Sequence, residues 1–486
     1  MLQGTASHVG KSILTAALCR IFHQQGLRVA PFKAQNMALN AAVTPDGREI
    51  GRAQSLQALA AGVESSADMN PILLKPKGGT LSQVVVLGRP VGDMPWGEYS
   101  GRFRAEALDV VRGALTRLLE RYELVVIEGA GSPAEVNLKS HDLANMATAR
   151  LAGAPVLLVA DIERGGVFAS VTGTLDLLEP EERARVKGVL INKFRGDAAL
   201  FEAGARWLEE RTGLPVLGVI PFLPDLRLDE EDSLGLPPAR RAALDIAVIR
   251  MPHLSNFTDF DPLTSEPEVG LRYVDRPEAL DYPDAVILPG TKNTVEDLRW
   301  LYARGLAGAV DRLARAGVPV VGICGGYQML GHEVRDESGV ESAAGVTPGL
   351  ALLPVVTSFE PEKETTRSSG SALGTPVEGY EIHMGKSSYL HGAEPFATLG
   401  GGRWDGAIQG ELWGTYLHGI FDNGAFRRRW LNRLRERRGL PPLPEDGPAI
   451  EPREAALNRL ADHVRRHLAM DRLQEILEAT PGEAHP

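Results

Sequence analysis

The run Gly4-Thr5-Ala6-Ser7-His8-Val9-Gly10-Lys11-Ser12 has residue types that phosphate chemistry needs. It leads into Ile13, Leu14, Ala17, Leu18, Ile21 and Phe22, which are spaced as one face of a helix ending near Gly26. A glycine-rich turn opening a helix aims backbone N–H groups and the positive end of the helix dipole at an anion. Lys11 would reach terminal phosphates, and the Ser12 hydroxyl is placed to ligate Mg²⁺. The loop has one residue more than the usual G-x-x-x-x-G-K-[ST] spacing. A bare glycine turn with a solvated lysine is the bland alternative. Gly4, Thr5, Gly10, Lys11 and Ser12 are read as nucleotide contacts.

A second chemistry lies in Gly322-Ile323-Cys324-Gly325-Gly326, which has the G-x-nucleophile-x-G form of a strand-to-helix elbow with cysteine as nucleophile. The glycines permit the tight turn, and a helix N-terminus favours the thiolate. Cys19 lies on the apolar face of the first helix, where a small buried hydrophobe is the better reading. The base expected beside Cys324 is His418, at the end of the strand-like run Leu412 to Leu417. His383, in Gly379-Tyr380-Glu381-Ile382-His383-Met384-Gly385, is kept as substrate-side or structural.

Around the phosphate loop, Leu124-Val125-Val126-Ile127 reads as a buried parallel strand that delivers Glu128 to its C-terminal end. Open α/β sheets bind ligands at that edge, so Glu128 is the leading metal carboxylate, with Asp46, Glu49 or Asp161 as a second. Asp161 could equally cap a helix. Asn192, in the loop after Val186 to Ile191, is placed near the nucleotide base. Lys33, Gln35 and Asn36, then Asn70, Lys75 and Lys77, fall in polar segments too amide-rich for a core and are assigned to substrate.

Buried apolar runs alternating with helical periods imply two α/β domains with doubly wound parallel sheets. The first is expected over 1–224 and the second over 244–440, joined by a linker at 225–243. A second linker and an amphipathic helical tail would fill 441–486, with Leu457, Leu460, Ala461, Val464 and Leu468 on its apolar stripe. At 486 residues the chain is too long for one core. No apolar run approaches the ~18–20 residues of a membrane span. Two cysteines cannot build a disulfide framework, which suits a reducing, cytoplasmic setting. A net charge of −11 argues against general nucleic-acid binding and requires local cations for an anionic substrate.

Together these residues resemble the cobyric acid synthase family, glutamine amidotransferases of corrinoid biosynthesis. The N-terminal loop is similar to the longer phosphate loop of dethiobiotin synthetases. Phe32 to Met37, Met69 to Pro76 and Asp161 to Phe168 resemble the family's synthetase domain; Pro289 to Asn293, Cys324 to Gln328 and Gly379 to Gly385 resemble its glutaminase domain. The resemblance implies ATP- and glutamine-dependent amidation of four carboxylates of adenosylcobyrinic acid a,c-diamide, with Mg²⁺, and with Gly290 and Gly325 supplying an oxyanion hole. Triad amidotransferases carry His-Pro-Glu at the base; here His418 is followed by Gly419 and Ile420, so only a Cys–His dyad is named. Rival readings are cobyrinic acid a,c-diamide synthase, CTP synthetase, and a regulatory ATPase resembling MinD or ParA with an inactive glutaminase-like domain. The MinD and ParA proteins carry a lysine where Thr5 stands. The Gln35-Asn36-Met37 segment disfavours the other two amidotransferases.

Overall fold

A computed structural model of the chain describes residues 1–224, 226, 228, 242–342, 345–444 and 453–479. The first expected linker thus lies almost wholly outside the described residues, as does the second beyond residue 444.

The first domain is built on six parallel strands in the order Val29–Phe32, Leu124–Ile127, Leu2–Gly4, Val156–Asp161, Val186–Phe194, Val216–Pro221. Leu124–Ile127 joins the centre through Glu128, which pairs with Leu2, and through Gly129 N–H, which donates to the Leu2 carbonyl at 2.8 Å. Helices cover both faces, which is why the strands read as continuous apolar runs. All strands end on one edge, so the phosphate loop, Lys33, Glu128, Asp161 and Asn192 collect there.

Two additions were not visible as strands in the sequence. Gln35–Met37 pairs parallel with Ile72–Gly78, which continues antiparallel through Leu81–Val86 and Arg89–Pro95, and Ala41–Val43 pairs with Glu49–Gly51 as a small hairpin. The polar segment expected to lie outside any core is therefore buried in part. Asn36 donates to Gln54 Oε1 at 3.0 Å, and Asn70 accepts from Gly51 N–H at 3.2 Å while donating to the Lys33 and Ile72 carbonyls. Mutual hydrogen bonds satisfy these amides, which is what makes their burial tolerable.

Residues Arg453–His467 form the tail helix, which closes the first domain, not the second. Ala456, Leu457, Leu460, Ala461 and Val464 share a core with Leu14, Leu18, Cys19 and Ile21 of the helix Lys11–Gln24. Arg20 Nε donates to Asn458 Oδ1 at 2.8 Å across that seam.

The second domain has five parallel strands, Val269–Val274, Leu244–Ile249, Ala285–Leu288, Val320–Ile323 and Leu412–Thr415, with Ala407–Gln409 antiparallel at the edge. Beside it stands a long antiparallel ribbon, Val355–Ala372 with Thr375–Tyr389. The ribbon reaches the first domain: Arg367 Nε donates to the Val43 carbonyl at 2.9 Å, and Tyr380 and Ile382 pack on Ala41 and Val43. Among the described residues no helix is long and apolar enough to cross a membrane.

Candidate active sites

Gly10 caps the first helix at φ 98°, and a Cβ there would stand 2.1 Å from Asn192 Nδ2, so the position requires glycine. Asn192 Nδ2 donates to the Val9 carbonyl at 2.8 Å, so its amide shapes the loop from beneath and is not extended toward a base as expected. Lys11 Nζ donates to the carbonyls of Ala6 and Gly131 at 2.9 and 3.0 Å.

Glu128, 1% exposed, gathers three partners from separate elements: Ser12 Oγ at 2.9 Å, Gln57 Nε2 at 2.6 Å and Lys33 Nζ at 3.0 Å. Lys33 thus meets the carboxylate beside the phosphate loop. Asp161 lies on the same edge, with Oδ2 3.1 Å from Lys193 Nζ, which also donates to the His8 carbonyl.

Several residues assigned to metal or substrate lie elsewhere. Asp46 has a 60% exposed side chain and holds its own turn, accepting from Thr44 Oγ1 and pairing with Arg48 Nε at 3.0 Å. That turn meets the second domain, where a Cβ on Gly47 would come 3.1 Å from the Thr365 carbonyl. Glu49, fully buried, binds Lys75 Nζ at 2.6 Å and Lys363 of the ribbon. Burial raises the Glu49 pKa, but the two lysines outweigh it and hold the carboxyl well below its usual range. Lys75 is therefore committed to a buried interdomain ion triad. Lys77 pairs with Asp93 at 2.7 Å and donates to the Val340 carbonyl. Asn70 spends its amide on backbone, and Gln35 accepts from Tyr99. Each of these four side chains already has a partner within the protein.

In the second domain, Cys324 ends the strand Val320–Ile323 at φ 50° and opens the helix Gly325–Leu330. Strain of this kind lifts a nucleophile off the end of its strand. Its Sγ lies 3.6 Å from the Ile382 carbonyl. Gly325 is tight against Thr291, whose Cγ2 would be 2.6 Å from an added Cβ, and Gly290 faces His418 Cε1 at 3.1 Å by the same construction. The backbone positions assigned to the oxyanion thus flank the Cys324–His418 edge.

His418, 1% exposed, places Nδ1 2.6 Å from Asp259 Oδ2, and Gly419 N–H donates to Asp259 Oδ1 at 3.0 Å. Burial pulls the imidazolium pKa down; the Asp259 carboxylate and Cys324 push it up more strongly, to about 10. The third member absent after His418 is therefore supplied by Asp259, in the short turn Phe257–Phe260 following the strand Leu244–Ile249. Nothing near His418 in sequence signals it. Its one cue is a carboxylate in a loop at the ligand-binding edge of a parallel sheet.

His383 stacks on Tyr416 at 3.8 Å, with Nδ1 bonded to the Gly385 carbonyl and Nε2 3.6 Å from Glu381. It is packed as a structural residue. Cys19 is fully buried, and burial followed by the charge of Glu128 pushes its thiol pKa far up.

Comparison with known proteins accords with this pair of sites. Residues 1–235 match the CobQ/CobB/MinD/ParA nucleotide binding domain, and residues 245–426 the CobB/CobQ-like glutamine amidotransferase domain. The chain is 54% identical to cobyric acid synthase of Pelotomaculum thermopropionicum, over 100% of this chain and 97% of that one. The chain belongs to the cobyric acid synthase family. The family member from Moorella thermoacetica is 53% identical over 98% of this chain and 96% of its own, and that of Klebsiella pneumoniae strain 342 is 50% identical over 98% and 97%. As a member of the family the chain is a glutamine-dependent amidoligase with a nucleotide-binding domain.

Proposed function

We propose that this chain converts the b, d, e and g carboxylates of adenosylcobyrinic acid a,c-diamide to amides, giving adenosylcobyric acid, with ATP and glutamine as co-substrates. The observation that carries the proposal is the Cys324–His418–Asp259 array, joined in one chain to a phosphate loop beside Glu128. The full-length match to cobyric acid synthases supports a corrinoid acid as the acceptor.

A carboxylate resists ammonia because its carbonyl is electron-rich and oxide leaves badly. Transfer of the ATP γ-phosphoryl group to it gives an acyl phosphate with a good leaving group. Lys11 and Lys33 are assigned to offset phosphoryl charge in transit, and the loop N–H groups to hold the phosphates. Ser12 and Glu128 are hard oxygen donors that suit Mg²⁺, which keeps few protein ligands and takes the rest from phosphate and water. When bound there, the ion would neutralise charge between the phosphates.

At the glutaminase site, His418 holds the proton between itself and Cys324 on Nε2 as imidazolium, in line with its raised pKa, while Asp259 accepts from Nδ1–H and so fixes the ring. Sulfur attacks the side-chain amide of glutamine, with the oxyanion received by N–H groups at Gly290 and Gly325. His418 returns the proton to departing ammonia. Water then cleaves the thioester to glutamate, and ammonia displaces phosphate from the acyl phosphate at the synthetase site.

The test supplies the corrinoid diamide acid, ATP, and glutamine labelled with nitrogen-15 in the amide. Four successive amide-for-acid mass changes carrying the label support the reading; a panel of corrinoid acids left unchanged while ATP and glutamine are both consumed would refute it.

A further inference from the structure

We infer that the hairpin Ala41–Val43/Glu49–Gly51 of the nucleotide-binding domain is a working part of the glutamine site, and that Asn256 is the residue through which it positions His418. The inference rests on the glutaminase reading above and goes beyond it: the second domain does not orient its own base alone.

Asn256 sits in the left-handed region at φ 51°, immediately before the turn that carries Asp259. Its Oδ1 accepts the Ala41 N–H at 2.9 Å, from a residue 215 positions away in the other domain. Its Nδ2 lies 3.3 Å from His418 Nε2 and 3.5 Å from Nδ1. Near-equal distances to both ring nitrogens put the amide over the imidazole, out of the ring plane, so the in-plane side of Nε2 stays open toward Cys324. The Ala41 N–H also decides which way the amide faces. With Oδ1 used by that donor, the NH₂ group must point at the ring; a flipped amide would set donor against donor.

A second route runs from the same hairpin. Tyr380 lies nearly parallel to His418 at 5.2 Å and 17°, and exchanges backbone hydrogen bonds with it in both directions. Over the Tyr380 ring stands the Arg52 guanidinium, 5.6 Å from the centroid. Arg52 directly follows the hairpin, and its N–H donates to the Asn40 carbonyl, the residue before Ala41. Ala41 and Arg52 are thus one unit, touching the imidazole through two intermediaries. That unit is anchored toward the nucleotide edge, because Gly51 is wedged between Gln54, Asn36 and Asn70, and Asn70 also holds the Lys33 carbonyl. Lys33 in turn pairs with Glu128. A continuous set of contacts therefore joins the phosphate edge to the glutaminase base, and Asn256 is its last member before His418.

Asn256 is a positioning residue, so its removal lowers the rate of the chemical step more than glutamine binding. The experiment uses the full chain and measures glutamate released from glutamine, with ammonia-driven amidation as a control for folding and for the synthetase site. Asn256→Gly keeps the left-handed backbone and deletes the amide. Ala41→Pro removes from the other domain the N–H that Asn256 accepts. Both are expected to reduce kcat for glutamine about tenfold or more, by analogy with lost orientation of a catalytic histidine, with glutamine KM changed less than about threefold and ammonia-driven turnover within about twofold. Glutamine kcat within about twofold of wild type in Asn256→Gly overturns the inference, as does an equal loss with both nitrogen sources. If Ala41→Pro does not fold, Asn256→Gly alone decides. A wild-type chain that releases no glutamate from glutamine would instead overturn the glutaminase reading itself.

Discussion

Asp259 and His418 stand 159 positions apart in sequence and 2.6 Å apart through Oδ2 and Nδ1. The pairing holds Nδ1–H against the carboxylate and leaves the Nε2 side to face the nucleophile. Asp259→Asn keeps the volume but removes the charge that stabilises imidazolium. Glutamine-dependent kcat is expected to fall about a hundredfold or more, while ammonia-driven amidation stays near wild type. Steady-state kinetics with the two nitrogen sources checks it; equal loss with both would place Asp259 outside glutamine hydrolysis.

The same pair sets a pH dependence of stability. Folding raises the His418 pKa from 6.5 to about 10, with burial opposing and Asp259 and Cys324 driving the rise. The folded chain holds this proton more tightly than the unfolded one. The resulting stability is complete below pH 6.5 and is lost as pH climbs to about 10. Denaturant midpoints should decline across that window in wild type and decline less in Asp259→Asn.

Glu49 gives the opposite sign. Its carboxyl is held well below the ordinary 4.5 by Lys363 and Lys75 against the cost of burial, so its contribution exists above 4.5 and disappears as pH falls further. Glu49→Gln strands two buried ammonium groups. A loss of about 3–5 kcal/mol is expected, because both lysines lose their buried partner. Urea unfolding at neutral pH and below pH 4.5 measures both; an unchanged midpoint would show that the triad adds nothing.

Much of this was legible in the residues, for definite reasons. Strands buried on both faces announce themselves as apolar runs, so Leu124–Ile127 and Leu412–Thr415 stand where the sequence puts them. Local spacing located Lys11, Glu128, Cys324 and His418. What was not legible depends on distant parts of the chain. Asp259 has no local mark. The ribbon Val355–Ala372/Thr375–Tyr389 carries too many charges to read as a strand pair, since part of it spans to the other domain. Lys75 looked like a substrate cation because nothing in sequence reveals that Glu49 already holds it. The partners of Asp46 and Asn70 were hidden for the same reason: composition shows a polar group, not what it bonds.

The nucleotide site has its own expected signature. Lys11→Ala and Lys33→Met remove the lysines of the phosphate loop and of the Glu128 pair, which are assigned to phosphate, so both variants should lose amidation by about a hundredfold or more whichever nitrogen source is used. Glutamate release without acceptor should continue. Isotope-traced amide formation checks this, and near-normal ammonia-driven turnover in Lys11→Ala would remove the nucleotide assignment.

The separation of the two chemistries is tested most directly by Cys324→Ser in the full chain, assayed with the corrinoid diamide acid and ATP. Serine keeps the elbow but replaces an ionisable thiol with a hydroxyl that stays protonated near neutral pH. Cys19→Ser, inside the first domain's core, is the control and should change stability alone. Amidation from glutamine should collapse in Cys324→Ser while concentrated ammonium chloride at alkaline pH still yields the amides. Retained turnover from glutamine, or a folded, ATP-binding variant that cannot use ammonia, would contradict it.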